Sequence, residues 1–366
     1  MNLALTEMRR AKLRFGLLTA AVSLLVFLIV FLATLSGALL RALTGAIEAL
    51  PADGLVYSEA SRANVQASRL DPAVLAEVAD VPGVDAVGPM AVLSANATVA
   101  GEPGDLQVIG VQPGSPSEPE GLREGRFPAA EDEVAIDASA VEVALGDTVR
   151  VNGSSVDFVV TGRLVGTQFG TDTAWITTSA YDGLLRELNP GLPVVPLNAV
   201  AFTVEPGSDP VAVATQVEQA VAGTLALDKA AAVDALPGVE SVGQTFGLLV
   251  GITFVIGVVV VGFFFLILTV QKLRTFTLLR ATGASTRGLA GTVTAQISAV
   301  VLLASALAVA LAWGALQGLS TGLPVTIDPV TIGGVVAAVL GASLLAGLLS
   351  IRRIAQIDPA TAAGAR

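Results

Sequence analysis

The sequence predicts an α-helical membrane protein with four transmembrane helices and an α+β extracytoplasmic domain inserted between helices 1 and 2. Three observations carry this. Four stretches, Phe15–Leu40, Phe246–Val270, Gly288–Leu323 and Val330–Ile351, contain no Asp, Glu, Lys or Arg. Each meets the roughly 20 residues that a helix needs to cross a bilayer. The first stretch is parted from the other three by about 200 more polar residues that alternate as strands do. Charge is also sorted. Segments 1–14, 271–287 and 352–366 hold eleven of the 20 Lys and Arg residues against only Glu7 and Asp358, whereas the remainder carries nine basic and 29 acidic residues. Basic residues in short juxtamembrane segments set orientation. Both termini and the 271–287 loop are therefore expected on the cytoplasmic side of the cell membrane, with the acidic domain outside.

Residues 1–14 are expected to form an interfacial helix, because Leu3, Leu5, Met8 and Leu13 are set among basic residues. Transmembrane helix 1 and a stalk are expected over 15–50. Its 26 uncharged residues exceed the 7–15 of a signal-peptide core, so it is expected as a retained anchor. Beyond the span, Arg41 to Leu50 has no helix breaker stronger than Gly45 before Pro51.

The extracytoplasmic α+β domain is expected over 51–240. Leu55–Ser58 predicts a strand, Asp71–Asp80 a helix with an N-cap and an early Pro, and 86–93 and 106–111 two more strands. A β-rich insert follows at about 120–178, where 133–137, 146–153 and 156–165 alternate apolar with polar residues and Asn152-Gly153 marks a turn. A helix from Ser179 to Leu188, a strand from Asn198 to Val204 and a helix from Asp209 to Gly223 lead back to the membrane. Helix 2 is expected over 241–271, a cytoplasmic connecting helix over 272–287, helices 3 and 4 over 288–323 and 330–351, and a tail over 352–366. Gly247 and Gly251 have the spacing for close helix approach, and Gln296 and Gln317 are expected to hydrogen-bond to neighbouring helices.

Composition excludes several functions. The formal net charge of −11 averages two oppositely charged faces, and an acidic outer domain disfavours nucleic acid as a partner. There is no Cys and no His, which removes the usual ligands of zinc, copper and iron–sulfur clusters and any Ser-His-Asp or Cys-His unit. No catalytic residue and no protein metal site are expected. None of Lys12, Lys229 and Lys272 follows a Gly, so there is no phosphate-binding loop of the Walker type. Any ATP and its Mg would be bound by another chain.

The 271–287 loop is the most specific segment. Phe276, Leu279 and Gly283 fall on one helical face, with Arg274 and Arg280 elsewhere. Such a helix can place an apolar edge in a cleft on a cytoplasmic partner; a basic connector lying on lipid is the plainer alternative. Leu278-Leu-Arg-Ala-Thr-Gly-Ala-Ser resembles the coupling-helix signature of MacB/FtsX-type ABC transporter permeases. Arg123-Glu-Gly-Arg-Phe-Pro, Leu145-Gly-Asp-Thr-Val and Ile357-Asp-Pro-Ala-Thr-Ala are also similar to that family, as is the order of one helix, a domain and three helices.

The resemblance implies a permease homodimer working with two copies of a cytoplasmic ABC ATPase, which Phe276, Leu279, Arg280 and Gly283 would contact. Phe263-Phe-Phe-Leu-Ile-Leu-Thr-Val-Gln-Lys and Ala235-Leu-Pro-Gly look similar to the HrtB/DevC-like branch, whose HrtB-like members are haem efflux permeases. Haem is then the implied cargo, with no intrinsic cofactor. Without His, its iron would need Tyr, Met or carboxylate ligation, or the site would grip mainly the porphyrin face and the propionates. Arg41 is the candidate for a propionate, and Glu48, Tyr57 and Glu240 the candidates to approach iron. For Arg41 the alternative is snorkelling to lipid headgroups, and for the two Glu a solvated surface role. Two other readings stay open: an FtsX-like mechanotransmission permease that regulates an extracellular cell-wall hydrolase, and an exporter of lipids, lipoproteins or peptides.

Overall fold

A computed structural model describes residues 12–139, 141–271, 286–317 and 329–355. It contains two compact units, one spanning Gly37–Gly243 and one formed from the apolar segments on either side.

The larger unit begins inside a helix. Helix α1 runs unbroken from Lys12 to Glu48. After it come β1 (Gly54–Ser58), α2 (Val74–Ala79), β2 (Val84–Val99), β3 (Glu102–Val111), β4 (Leu122–Gly125), β5 (Glu133–Asp137), β6 (Thr148–Val151), β7 (Asp157–Leu164), β8 (Thr173–Thr177), α3 (Thr178–Leu188), β9 (Ala199–Val204), α4 (Pro210–Ala220), β10 (Thr224–Asp228) and α5 (Lys229–Asp234). All ten strands join one sheet in the order β10-β1-β9-β2-β3-β8-β5-β7-β4, with β6 pairing β2 and β7 off that path. Pairing is antiparallel except for β3 with β8 and β5 with β7. The parallel β3–β8 pair fuses the β-rich section to the rest of the domain as a single sheet.

Local chemistry explains most boundaries. Ala100 and Gly101 both have positive φ, at 50° and 88°, which suits the two-residue turn between β2 and β3. Asp209 accepts from the Val211 amide and Thr177 from the Ala180 amide, capping α4 and α3. The helix expected from Asp71 starts only at Val74, because the Asp71 carboxylate is used in a turn, accepting from the Ala73 amide at 2.9 Å. Strands β4 and β10 and helix α5 were not expected.

Alternation along the strands feeds two opposite faces. On one, Leu55 and Tyr57 of β1, Met90 and Val92 of β2, Ile109 and Val111 of β3 and Trp175 of β8 pack against Ala46 and Ile47 of α1, Leu50, Ala232 of α5 and Leu236. On the other, α2 and α4 bury Val78, Val213 and Val217 against Val56, Val200 and Phe202. On that same side α3 buries Ala180, Tyr181 and Leu184 against Val108, Ile136, Phe158 and Ile176. The unit is thus three layers, and the outer end of α1 is part of one of them.

The second unit comprises the α1 segment before Gly37 with α6 (Val239–Gln271), α7 (Thr286–Gln317) and α8 (Pro329–Ala355). Among the described residues, four helices are long and apolar enough to cross a membrane: Lys12–Glu48, Val239–Ile267, Val293–Leu316 and Pro329–Ala346. Phe15, Leu18, Val22, Val26 and Ile29 form a stripe on α1 that packs with Phe265 of α6 and Ile297, Val300 and Ala304 of α7. The outward sides are equally apolar: Leu17, Leu24 and Leu28 on α1 and Leu248, Ile252, Val255 and Val259 on α6 are exposed. Helices apolar all round belong in lipid. The run Phe263-Phe-Phe divides: Phe263 is exposed, Phe264 meets Phe15 edge-on at 6.4 Å and Phe265 is buried. Gln296 is buried and partnered. Gly247 and Gly251 meet no atom within 4 Å, so no close helix approach forms there among the described residues.

Ile47 is fully buried, and replacing it should leave a cavity in the core under the sheet. Ile47→Ala is expected to cost about 2–5 kcal/mol, read as a lowered unfolding midpoint in Trp fluorescence of the full chain. The exposed neighbour Glu48 serves as control, and Glu48→Gln should leave the midpoint unchanged.

Candidate functional site

The outer end of α1 is sewn to a loop between β7 and β8. The Ala46 amide donates to the Gln168 carbonyl at 2.8 Å, and the Gly170 amide donates to the Ala42 carbonyl at 2.7 Å. These bonds bracket one rung of the helix, and Gly45 lies between them. A Cβ on Gly45 would stand 2.7 Å from the Gly166 carbonyl oxygen, so only glycine admits the loop this closely. The terminal carbonyls, which a helix cannot satisfy internally, are also taken by distant groups. The Glu120 amide donates to Ala49 O at 2.7 Å and Lys229 Nζ to Leu50 O at 2.5 Å. A cation there also suits the negative end of the helix.

Two buried carboxylates hold the loop in place. Asp137, at the end of β5, accepts from the Thr167 amide at 2.6 Å and the Thr167 hydroxyl at 3.2 Å. Asp172 accepts from the Ser139 amide at 2.9 Å, and Gln168 Nε2 donates to Ser139 Oγ at 2.8 Å and to Asp172 at 3.4 Å. The Phe169 amide donates to Thr173 Oγ1 at 2.9 Å. Gly166 and Gly170 adopt φ of 78° and 84° at the two bends. Burial pushes the Asp137 carboxyl above the usual range, and the nearby Asp172 charge adds to this, while the Thr167 hydrogen bonds oppose it. The result is a polar knot under the sheet end that fixes the backbone bonded to α1.

Of the residues predicted to meet cargo, Arg41 is half-buried on α1. Its side chain folds back over Gly37, and its Nε is buried without a hydrogen-bond partner among the described residues. Glu48 is exposed two turns further on, which puts it on the same side of the helix. Glu240 is exposed in the first turn of α6. Tyr57 corrects the expectation. It is fully buried in the core between the sheet and the end of α1, and burial pushes its phenol well above the usual range. Its hydroxyl reaches no surface on which a ligand could rest. Phe276, Leu279, Arg280 and Gly283 lie outside the described residues. Asp137, Thr167, Gln168 and Asp172 were not anticipated; their trace in the sequence is the polar run 166–173, with Gly at both bends, between two apolar strands.

Comparison with known proteins accounts for this arrangement. Residues 15–220, more than half of the chain, match the MacB-like periplasmic core domain, and residues 247–359 match the FtsX-like permease C-terminal region. The chain belongs to the MacB/FtsX-type ABC transporter permeases. As a permease of this family it is a cell-membrane protein with an extracytoplasmic domain, and the family implies a cytoplasmic ATPase partner. An uncharacterized ABC transporter permease of Mycobacterium tuberculosis is 26% identical over 294 residues, covering 79% of this chain and 78% of that protein. A permease of Staphylococcus haemolyticus named for hemin transport, HrtB, is 22% identical over 373 residues, covering 100% of this chain and 99% of that protein. Among solved structures, the periplasmic region of MacB from Actinobacillus actinomycetemcomitans aligns with 50% of this chain and 92% of that one, at 13% identity and a TM-score of 0.37. The extracellular domain of YknZ from Gram-positive bacteria aligns with 48% of this chain and 98% of its own, at 17% identity and a TM-score of 0.33.

Gly45→Val should drive the permease loop off the helix. An unfolding cost of about 1–3 kcal/mol and faster hydrogen exchange at the Gly170 amide are expected, while Gly16→Ala, with no atom within 4 Å of the new Cβ, should change neither. Asp137 gives a pH signature. Because its folded value is raised, its contribution is full below the ordinary 3.8 and is lost as pH rises through the folded value. The stability of wild type relative to Asp137→Asn should therefore fall as the pH of a thermal melt is raised above about 4.

Proposed function

We propose that the permease belongs to an ABC-type efflux pump that expels a hydrophobic or amphipathic cargo from the membrane, with haem as the cargo. The observation that carries this is the end-to-end alignment with the hemin-named permease, 100% of this chain against 99% of that one. Arg41 supports it, being a half-buried cation with an unpartnered Nε at the outer part of α1, where a propionate would satisfy it. With no His or Cys in the chain and both Tyr57 and Met90 sealed in the core, a carboxylate is the favoured route to iron. Glu48 stands two turns from Arg41 on the same helix side, and Glu240 opens α6. ATP and Mg are held by the partner ATPase, two copies of which serve a permease homodimer. The segment carrying Phe276, Leu279, Arg280 and Gly283 receives the ATPase motion on the cytoplasmic side, where both termini also lie. The permease itself makes and breaks no covalent bond.

A second reading is favoured by the bonds between α1 and the 166–170 loop, which suit the transmission of movement to an extracellular cell-wall hydrolase without cargo. Recovery of a secreted hydrolase on the purified permease, with no hemin spectrum, would select it.

For the export reading, hemin added to the purified protein should produce a shifted Soret band. Arg41→Ala and Glu48→Ala are each expected to weaken that binding about tenfold, since the loss of a charge-assisted contact is of order 1.5–3 kcal/mol. An unaltered titration in both variants would remove them from the site. Gly283→Pro should abolish transport-linked ATP hydrolysis in the reconstituted complex while leaving hemin binding intact.

A further inference from the structure

On the sheet face that packs against the end of α1, the β2–β3 ladder changes character abruptly. Met90 opposite Val111 and Val92 opposite Ile109 are core pairs, but the next two rungs on the same side are Ser94 opposite Gln107 and Asn96 opposite Asp105. The reverse side stays apolar alongside these rungs, with Ala97, Val99, Leu106 and Val108 buried. A strand leaving cover would normally become polar on the solvent side only as far as solubility requires. Here the polar rungs line an open cleft of about 460 Å³, flanked by Gln66 on one loop and Thr171 on another, with Phe169 at its apolar wall; Ser94, Asn96, Asp105 and Gln66 are exposed. That volume lies in the roughly 300–1,000 Å³ range of small-ligand sites. A smaller cavity of about 150 Å³ shares Gln66, Phe169 and Gly170 and continues to Leu43, Leu236 and Pro237.

We propose that this cleft binds an uncharged sugar. The side chains available are amides, hydroxyls and one carboxylate, a set that both donates to and accepts from hydroxyl groups. No Lys or Arg lines either cavity, which argues against phosphates and against the propionates of haem. Ser94 and Gln107 hydrogen-bond to each other at 2.8 Å and 3.1 Å, which fixes the Gln107 amide. The side chains of Gln66, Asn96 and Asp105 make no hydrogen bond or ion pair within the described residues and are free to take a ligand's hydroxyls. Asp105 is suited to accept from a vicinal diol, and Phe169, 9% exposed, adds a small apolar patch for the C–H groups of a pyranose. The sugar could come from a soluble glycan or from a glycolipid, whose tail would enter the apolar cavity beside Leu43. The site is independent of haem export.

The test uses the full-length permease in lipid nanodiscs, titrated calorimetrically with maltose, N,N′-diacetylchitobiose and hexyl maltoside below its micelle concentration. At least one sugar should bind, and Asn96→Ala and Asp105→Ala should each weaken binding about tenfold while hemin binding and the unfolding midpoint stay unchanged. Tighter binding of hexyl maltoside than of maltose, with the gain abolished by Leu43→Ser, identifies a glycolipid source; equal binding identifies a soluble glycan. No heat with any of the three, or binding that both variants leave untouched, overturns the proposal. So does binding of an uncharged Ser/Gly-rich peptide that depends on Asp105 while the sugars fail.

Discussion

The end of α1 completes its backbone bonding with residues about 70 or more positions away in the sequence. Ala42 and Ala46 bond to the 168–170 loop, and Ala49 and Leu50 to Glu120 and Lys229. Leaving such carbonyls and amides buried without partners would cost on the order of 1–3 kcal/mol each, so the helix end and the sheet stand or fall together. Apolar packing adds to this, since Ala46, Ile47 and Leu50 are core residues of the layer that also contains Trp175. At this point α1 cannot turn about its axis without breaking the bonds or dragging the loop and its two carboxylates with it.

The polar knot and the apolar core treat buried polarity differently. Asp137 and Asp172 are each nearly inaccessible, yet both accept several hydrogen bonds, as buried charges must. Tyr57 and Trp175 in the adjoining core leave Oη and Nε1 without partners among the described residues. The core thus accepts unpaired neutral dipoles but no unpaired charge. The loop is consequently placed by directional bonds, whereas the sheet beneath it is placed by area.

Much of this was legible in the sequence because it rests on short-range rules. Uncharged length marked the four spans, period-two alternation marked β5, β6 and β7, and Asp209 before Pro210 marked the start of α4. What escaped depends on partners distant in sequence. Strand β10 follows α4 after only three residues and looks like a linker until β1 is beside it. Nothing local to Asp137 or Asp172 says that they will be buried, since Ser139 and Thr167 reach them only once β5 and β8 pair. Tyr57 failed as a candidate for the same reason. Its place just beyond the outer end of the first helix suggests a ligand contact, and the cover of α1 and α5 that makes it core is invisible in the sequence.

The placement of β1 has a consequence for biogenesis. Its two neighbours, β9 and β10, emerge some 140 to 170 residues later, with Gly54 aligned to Phe202 on one side and Asp228 on the other. Both edges of β1 therefore stay open while the intervening chain is exported, a slow, nonlocal closure of the kind that exposes strands to wrong pairing. The domain cannot mature cotranslationally from its N-terminal end. Its maturation is gated by arrival of the segment just before α6, which ties completion of the outer sheet to insertion of the second membrane span.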